Sequence, residues 1–152
     1  MDQRMSKDKY YLNIADAVLD RSTCLRRKYG AIIVKNDEIL STGYNGAPRG
    51  RKNCVDLGYC TREQLKVPRG ERYELCRSVH AEANAITKVA KSANNCDGST
   101  LYITAAPCIE CSKLIIQAGI RRVVYSDDYR SEEGLDLLRR VGIECVQIPG
   151  EE

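Results

Sequence analysis

Ser78-Val79-His80-Ala81-Glu82, answered further along by Ala106-Pro107-Cys108-Ile109-Glu110-Cys111, is the pair of stretches around which the chain is organised. His80 is the only histidine in the sequence, and each stretch opens a helix. Ala81-Glu-Ala-Asn-Ala-Ile-Thr-Lys-Val-Ala90 is rich in strong helix formers. Thr100-Leu-Tyr-Ile103 reads as a strand, and Pro107 beyond it starts a second helix from Cys108 to about Ala118, because proline suits the first helical turn. Cys108 and Cys111 then lie three apart on one helical face, so both sulfurs can point at one metal. The partial positive charge of a helix N-terminus helps hold such thiols ionised.

The residue types fit one chemistry. A catalytic zinc takes three protein ligands from the imidazole and thiolate class and keeps its fourth position for water. His80, Cys108 and Cys111 supply three. Glu82, two residues past His80, is then a general base rather than a fourth ligand. Zinc brings the pKa of its bound water from about 15.7 down to about 7. Glu82 would carry protons from that water to the substrate and to the departing group. Taken alone, Cys-x-x-Cys also suits a redox pair or half of a structural zinc ribbon, and a single histidine also suits a hydrogen-bonded core. The two motifs together, separated by a helix and a strand, favour the catalytic metal.

With 152 residues the chain reads as a single domain, 1–152, long enough to bury an apolar core. Hydrophobic residues at 43% and charged residues at 30% are the balance of a soluble globular protein, and no apolar run approaches a membrane span. Met1-Asp2-Gln3-Arg4-Met5-Ser6 lacks the apolar core of a signal peptide, so a cytoplasmic location is expected. In that reducing compartment eight cysteines argue for metal or buried thiols over disulfides. A net charge of +3 is too small for a nucleic-acid coat. Between Asn45 and Arg77, however, eight basic residues face four acidic ones, a local field that suits a phosphate-bearing small molecule or simply a solvated loop.

The remaining elements follow from periodicity. Ser6 caps a helix through about Arg21, with Tyr11, Ile14, Ala15, Val18 and Leu19 forming one apolar stripe. Gly30–Lys35 is a buried strand, Asn36-Asp37 a tight turn and Glu38–Tyr44 its antiparallel partner. The long connection from Asn45 to about Arg77 needs pins, and Cys54, Cys60 and Cys76, with Cys24 as the nearest fourth, would close a structural zinc site. Small buried thiols are the other reading. Arg122–Tyr125 is a strand, Glu132–Val141 a helix stopped by Gly142, and Glu144–Ile148 a last strand. Strands alternating with helices in the second half predict right-handed parallel crossovers, hence an α/β fold with a five-stranded mixed sheet and helices on both faces.

The H-x-E and P-C-x-x-C pattern is the signature of zinc-dependent nucleobase deaminases. With Gly30-Ala-Ile-Ile-Val, Ser41-Thr-Gly-Tyr-Asn-Gly-Ala-Pro48, Asn53-Cys54, His80-Ala-Glu-Ala-Asn-Ala-Ile86 and Leu101-Tyr-Ile-Thr104, the chain resembles the cytidine deaminase superfamily over nearly its whole length, and most closely its deoxycytidylate branch. The resemblance implies a three-layer α/β/α fold and hydrolysis of a cyclic amidine C–N bond: dCMP to dUMP, for thymidylate synthesis. It implies that Asn45 binds the sugar and that the backbone near Ala81 and Pro107 reads the base edge. By the same resemblance, Lys88, Lys91, Tyr125 and Tyr129 meet the 5′-phosphate. It further implies a homo-oligomer, a hexamer, activated by dCTP with magnesium and inhibited by dTTP, with the effector touching Gly43, Tyr44, Gly46 and Arg49. Some relatives use histidine at a second zinc; this chain has none to spare, so an all-cysteine site replaces it or the site is absent.

Two other readings stay open. One is a related deaminase acting on dCTP or on adenosine in tRNA, against which the modest charge speaks. The other is a non-catalytic, zinc-stabilised binding module, for which Glu82 would be superfluous.

Overall fold

The computed structural model describes residues 3–25, 27–67, 78–127 and 132–149. Helix α1 (Lys7–Leu19) starts where Ser6 accepts a hydrogen bond from the Lys9 amide, a cap worth about 1 kcal/mol. Its buried side chains are Tyr11, Leu12 and Ala15, so the inward stripe includes Leu12 where periodicity suggested Leu19. Strands β1 (Gly30–Lys35) and β2 (Glu38–Tyr44) form the hairpin. Asn36 and Asp37 at its turn have φ of 54° and 61°, the left-handed pair that matches strand twist in a two-residue turn.

The connection after β2 is not wholly irregular. It contains two one-turn helices, α2 (Cys54–Leu57) and α3 (Thr61–Gln64). Then come α4 (Ala81–Ala90), β3 (Thr100–Ala105), α5 (Ile109–Ala118), β4 (Arg122–Asp127), α6 (Glu133–Arg140) and β5 (Glu144–Gln147). Strands β3 and β4 each run two residues further than predicted, towards the ligand-bearing turns.

The sheet order is β2-β1-β3-β4-β5, with β1 antiparallel to both β2 and β3, and β3, β4 and β5 mutually parallel. Alternation along β1 and β3 builds two cores, since successive strand residues face opposite sides. Ile32, Val34, Tyr102 and Val124 pack with α1 residues on one face. Ile33, Leu101, Ile103 and Val123 pack on the other with Ala85 and Val89 of α4, Ile115 of α5 and Leu135 and Leu138 of α6. The expected five-stranded mixed sheet between two helical layers is therefore the observed architecture.

Helix α1 is fastened to the far strands by polar contacts. Arg122 donates to both Asp8 carboxylate oxygens at 2.7 Å, and Tyr102 donates to Asp8 at 2.8 Å. The Arg122 guanidinium holds the Asp8 carboxyl below the usual carboxylate range, against the opposing effect of burial. No helix among the described residues is long and apolar enough to cross a membrane.

Candidate active site and metal centre

Both ligand stretches end up as helix caps. His80 is the N-cap of α4, with extended backbone at φ −67° and ψ 154°, and its carbonyl accepts from the Asn84 amide at 2.9 Å. The preceding residue is pinned by a two-way bridge, Gly46 N to Val79 O at 3.2 Å and Val79 N to Gly46 O at 2.7 Å. Asn84 ties the same turn to β2 by donating to the Tyr44 carbonyl at 2.7 Å.

Cys108 departs from expectation by one position. It is the N-cap of α5 rather than a residue within the helix, with extended backbone at φ −73° and ψ 170°. A capping residue must leave helical geometry to offer its side chain to the first free amides. Here the sulfur plays that part, accepting from Cys111 N at 3.5 Å. Pro107 accordingly precedes the cap instead of opening the helix.

This arrangement brings His80, Cys108 and Cys111 together, with their ligand atoms all within 4.8 Å of one another. His80 Nδ1 stands 3.3 Å from Cys111 Sγ and 3.5 Å from Cys108 Sγ. Zinc bonds of about 2.0–2.1 Å to nitrogen and about 2.3 Å to sulfur, set at the tetrahedral angle, require an N–S separation of about 3.5–3.6 Å. The donor set thus fits zinc in kind and spacing. The hydrogen bond from Cys111 holds the Cys108 thiol far below its ordinary range, with His80 adding to the effect and burial opposing it. That favours the ionised sulfur a metal needs. Glu82 is fully buried in the first turn of α4, and its carboxylate does not join the ligand group.

A cleft of about 390 Å³ opens beside the carboxyl ends of β3 and β4, its lining including Arg27, Tyr29, Thr104, Ala105, Ser126 and Asp127. Such crevices are the usual ligand positions in α/β sheets. Arg27 pairs with Asp127 and lies over the Tyr29 ring, 5.5 Å from its centre. The Asp127 carbonyl accepts from Ala106 N at 2.6 Å, which joins the cleft rim to the strap carrying Cys108. Arg27 and Lys28 line this cleft and were not among the expected positions; the basic run Arg26-Arg27-Lys28 just before β1 was the available signal.

Asn45 is buried beside this cleft, 4% exposed. Its Oδ1 accepts from Ser22 Oγ at 2.5 Å and Tyr29 N at 2.9 Å, and its Nδ2 donates to the Arg27 carbonyl at 2.7 Å. An amide nitrogen has two hydrogens, so one donor remains. Ala81 and Pro107, both buried, adjoin His80 and Cys108 in the chain. Tyr125 is buried in the sheet core, and Tyr129 lies outside the described residues.

The structure does not bring Lys88 and Lys91 to the metal ligands. They stand about 12 Å and about 16 Å along the axis of α4 from His80 at 1.5 Å per residue. Lys88 instead lies over Tyr44, 5.8 Å from the ring centre. With Thr23, Tyr44, Gly46, Asn53 and Asn84 it lines a second cleft of about 250 Å³. Of the expected effector positions, Tyr44 and Gly46 belong to this cleft, and Arg49 is in an exposed turn. Gly43 is a packing position: a Cβ there would lie 2.3 Å from the Ala81 carbonyl oxygen of α4.

The second cysteine set is only partly assembled among the described residues. Cys54 and Cys60 are buried, Cys24 is half-buried, and Cys76 lies outside the described residues. Val55 N donates to the Thr23 carbonyl at 3.2 Å, so the segments carrying Cys24 and Cys54 touch. Among the described residues, however, these sulfurs form no three-ligand group within 4.8 Å.

Residues 5–127 match the family model for the cytidine and deoxycytidylate deaminase zinc-binding region. The deoxycytidylate deaminase of Schizosaccharomyces pombe is 36% identical over 152 residues, covering 97% of this chain and 46% of the yeast protein. That of Saccharomyces cerevisiae is 37% identical over 145 residues, covering 95% of this chain and 45% of the relative. The chain therefore spans just under half the length of these two relatives. The crystal structure of dCMP deaminase from the cyanophage S-TIM5, in complex with dCMP and dUMP, is similar at TM-score 0.79 and 37% identity, covering 95% of this chain and all of that one.

Proposed function

The chain belongs to the cytidine and deoxycytidylate deaminase family, and from that premise we propose that it is a zinc-dependent hydrolase converting dCMP to dUMP and ammonia. The observation that carries this reading is the convergence of His80, Cys108 and Cys111 within 4.8 Å, with Glu82 fully buried next to them in the chain. When bound, zinc supplies the Lewis acidity that makes water nucleophilic near neutral pH at C4 of the pyrimidine.

The chain's own residues do the rest. His80 Nδ1 and the two sulfurs hold the metal. Glu82 takes one proton from the attacking water at its carboxylate and delivers it to N3 of the ring; it then takes the second proton from the oxygen now bonded to C4 and passes it to the departing amine, which leaves as ammonia. Burial of Glu82 excludes bulk water from that transfer. Backbone groups at Ala81 and Pro107 read the base edge, and the remaining Asn45 N–H meets the sugar. Arg27 and Lys28, the cations of the cleft at the carboxyl ends of β3 and β4, join Lys88 and Lys91 as candidates for the 5′-phosphate. Tyr125 and Tyr129 complete the phosphate set carried over from the family likeness. The product would feed thymidylate synthesis in the cytoplasm.

Three finer points belong to the same proposal. The cleft of Tyr44, Gly46, Asn84 and Lys88 takes the effector, dCTP with magnesium for activation and dTTP for inhibition; the Lys88 cation in its lining suits a nucleotide phosphate. Copies of the chain assemble, as a hexamer. A second, structural zinc is held by Cys24, Cys54, Cys60 and Cys76, supported by the contact between the Thr23 and Val55 segments.

The test is ammonia release from dCMP, dCTP, deoxycytidine and adenosine-containing tRNA, run on zinc-loaded protein. dCMP should be turned over fastest, independently of salt. A preference for folded tRNA would overturn the substrate, and absence of ammonia from every substrate would leave a binding module.

A further inference from the structure

Gly134 occupies the first turn of α6, although glycine is a poor helix former. Contact explains it. A Cβ at this position would lie 2.3 Å from the Pro107 carbonyl oxygen, 2.7 Å from the Ser112 hydroxyl and 3.1 Å from the Cys108 carbonyl carbon. Two of these three are backbone atoms, which cannot rotate out of the way.

The strap they belong to carries a metal donor. Pro107-Cys108 hands β3 over to α5, and Cys108 Sγ is 3.5 Å from His80 Nδ1. On its other side the strap is fixed, Ala106 N donating to Asp127 O at 2.6 Å and Ser112 N to Cys108 O at 2.9 Å. Helix α6 is fixed too, with Leu135 and Leu138 at 1% and 0% exposure in the core. Neither partner has slack to absorb a methyl group.

We propose that Gly134 is a positioning residue for the metal centre: bare backbone in α6 is the seat that sets where the Cys108 sulfur stands relative to Cys111 and His80. This rests on the metal reading above. Metal-ligand distances are held to about ±0.2 Å, and a Cβ at Gly134 would demand several times that from the strap or the helix.

The experiment compares Gly134→Ala with Leu138→Ala, which loosens the same helix through its core packing, and His80→Ala, which removes a donor. Zinc affinity is measured by chelator competition, and site geometry by the ligand-field spectrum of the cobalt(II) protein. Gly134→Ala should weaken zinc about 10–100-fold, the range for groups supporting metal ligands, and alter the cobalt spectrum. Leu138→Ala should lower the melting temperature yet keep the affinity and spectrum of the unaltered chain. Gly134→Ala matching the unaltered chain in both readouts, while His80→Ala loses the metal, would overturn the role of Gly134 alone. His80→Ala retaining full affinity would remove the metal reading and this proposal with it. Should Gly134→Ala be unfolded without metal, excess zinc restores its fold if weakened binding is the cause. A chain that stays unfolded at every zinc concentration overturns the proposal.

Discussion

Cys108 and Cys111 stand at the head of a ten-residue helix, behind a strand in the middle of the sheet, whereas Cys54 opens one four-residue helix and Cys60 caps the next, Gly58 lying between them. Both pairs are buried, at 4% and 3% exposure in the first region and 2% and 4% in the second. Only the first converges with a third ligand among the described residues. Burial alone therefore does not bring three donors together among the described residues. What separates the regions is how much hydrogen-bonded framework fixes each sulfur before any ion arrives. In the first, strand pairing, two helix caps and close backbone packing set the donors. In the second, one-turn helices contribute little order of their own, and a metal would have to act as part of the fold.

The largest effect that would test this contrast is on turnover. Glu82→Gln should reduce dCMP deamination by about 10²–10⁴-fold, the usual worth of a general acid–base group, with zinc content and melting temperature unchanged. Activity within tenfold of the unaltered chain would reduce the first region to a structural metal. Next comes Cys54→Ser, which should lower the metal content from about two zinc per chain to about one and expose the 45–67 segment to protease, if thiolates there close a structural site. Unchanged metal content would leave Cys54 and Cys60 as buried apolar thiols.

The smallest effect concerns the framework far from both regions. Asp8→Asn should cost about 1–2 kcal/mol at pH 7, because the bidentate Arg122 contact and the Tyr102 hydrogen bond are charge-assisted. Asp8 is depressed in the folded protein, so its contribution is fully present above the unfolded carboxylate value near pH 4. It is lost as pH falls through the folded value. Denaturant melts of both chains should therefore differ at pH 7 and converge in strong acid. A gap that persists there would assign the loss to packing.

The hairpin, the five strands and the four longer helices were legible because their signals are local. Period-two alternation along β1, proline and glycine punctuation and the serine cap at Ser6 each reveal an element from a few neighbouring residues. The ligand set was legible because three of its members sit in two short motifs. Less legible were positions whose role comes from contacts across the chain. The family resemblance made Lys88 a phosphate ligand, yet the cation faces Tyr44 in another cleft. Asn45 clips the Ser22–Tyr29 segment, a task that no motif announces. Arg27 lines its cleft beside a partner a hundred residues away, Asp127.

Residue types and their spacing by themselves determined the donor class: one imidazole, two thiols and a carboxylate on helix starts, the set that the proposed zinc-assisted hydrolysis would use. Tertiary structure alone decided which cations line the cleft at the ends of β3 and β4, that Cys108 caps α5 instead of lying within it, and that Gly134 must lack a side chain. The physical reason is range. Ligand class and helix phase are properties of a few consecutive residues, but clearance between two backbones exists only after distant elements have packed.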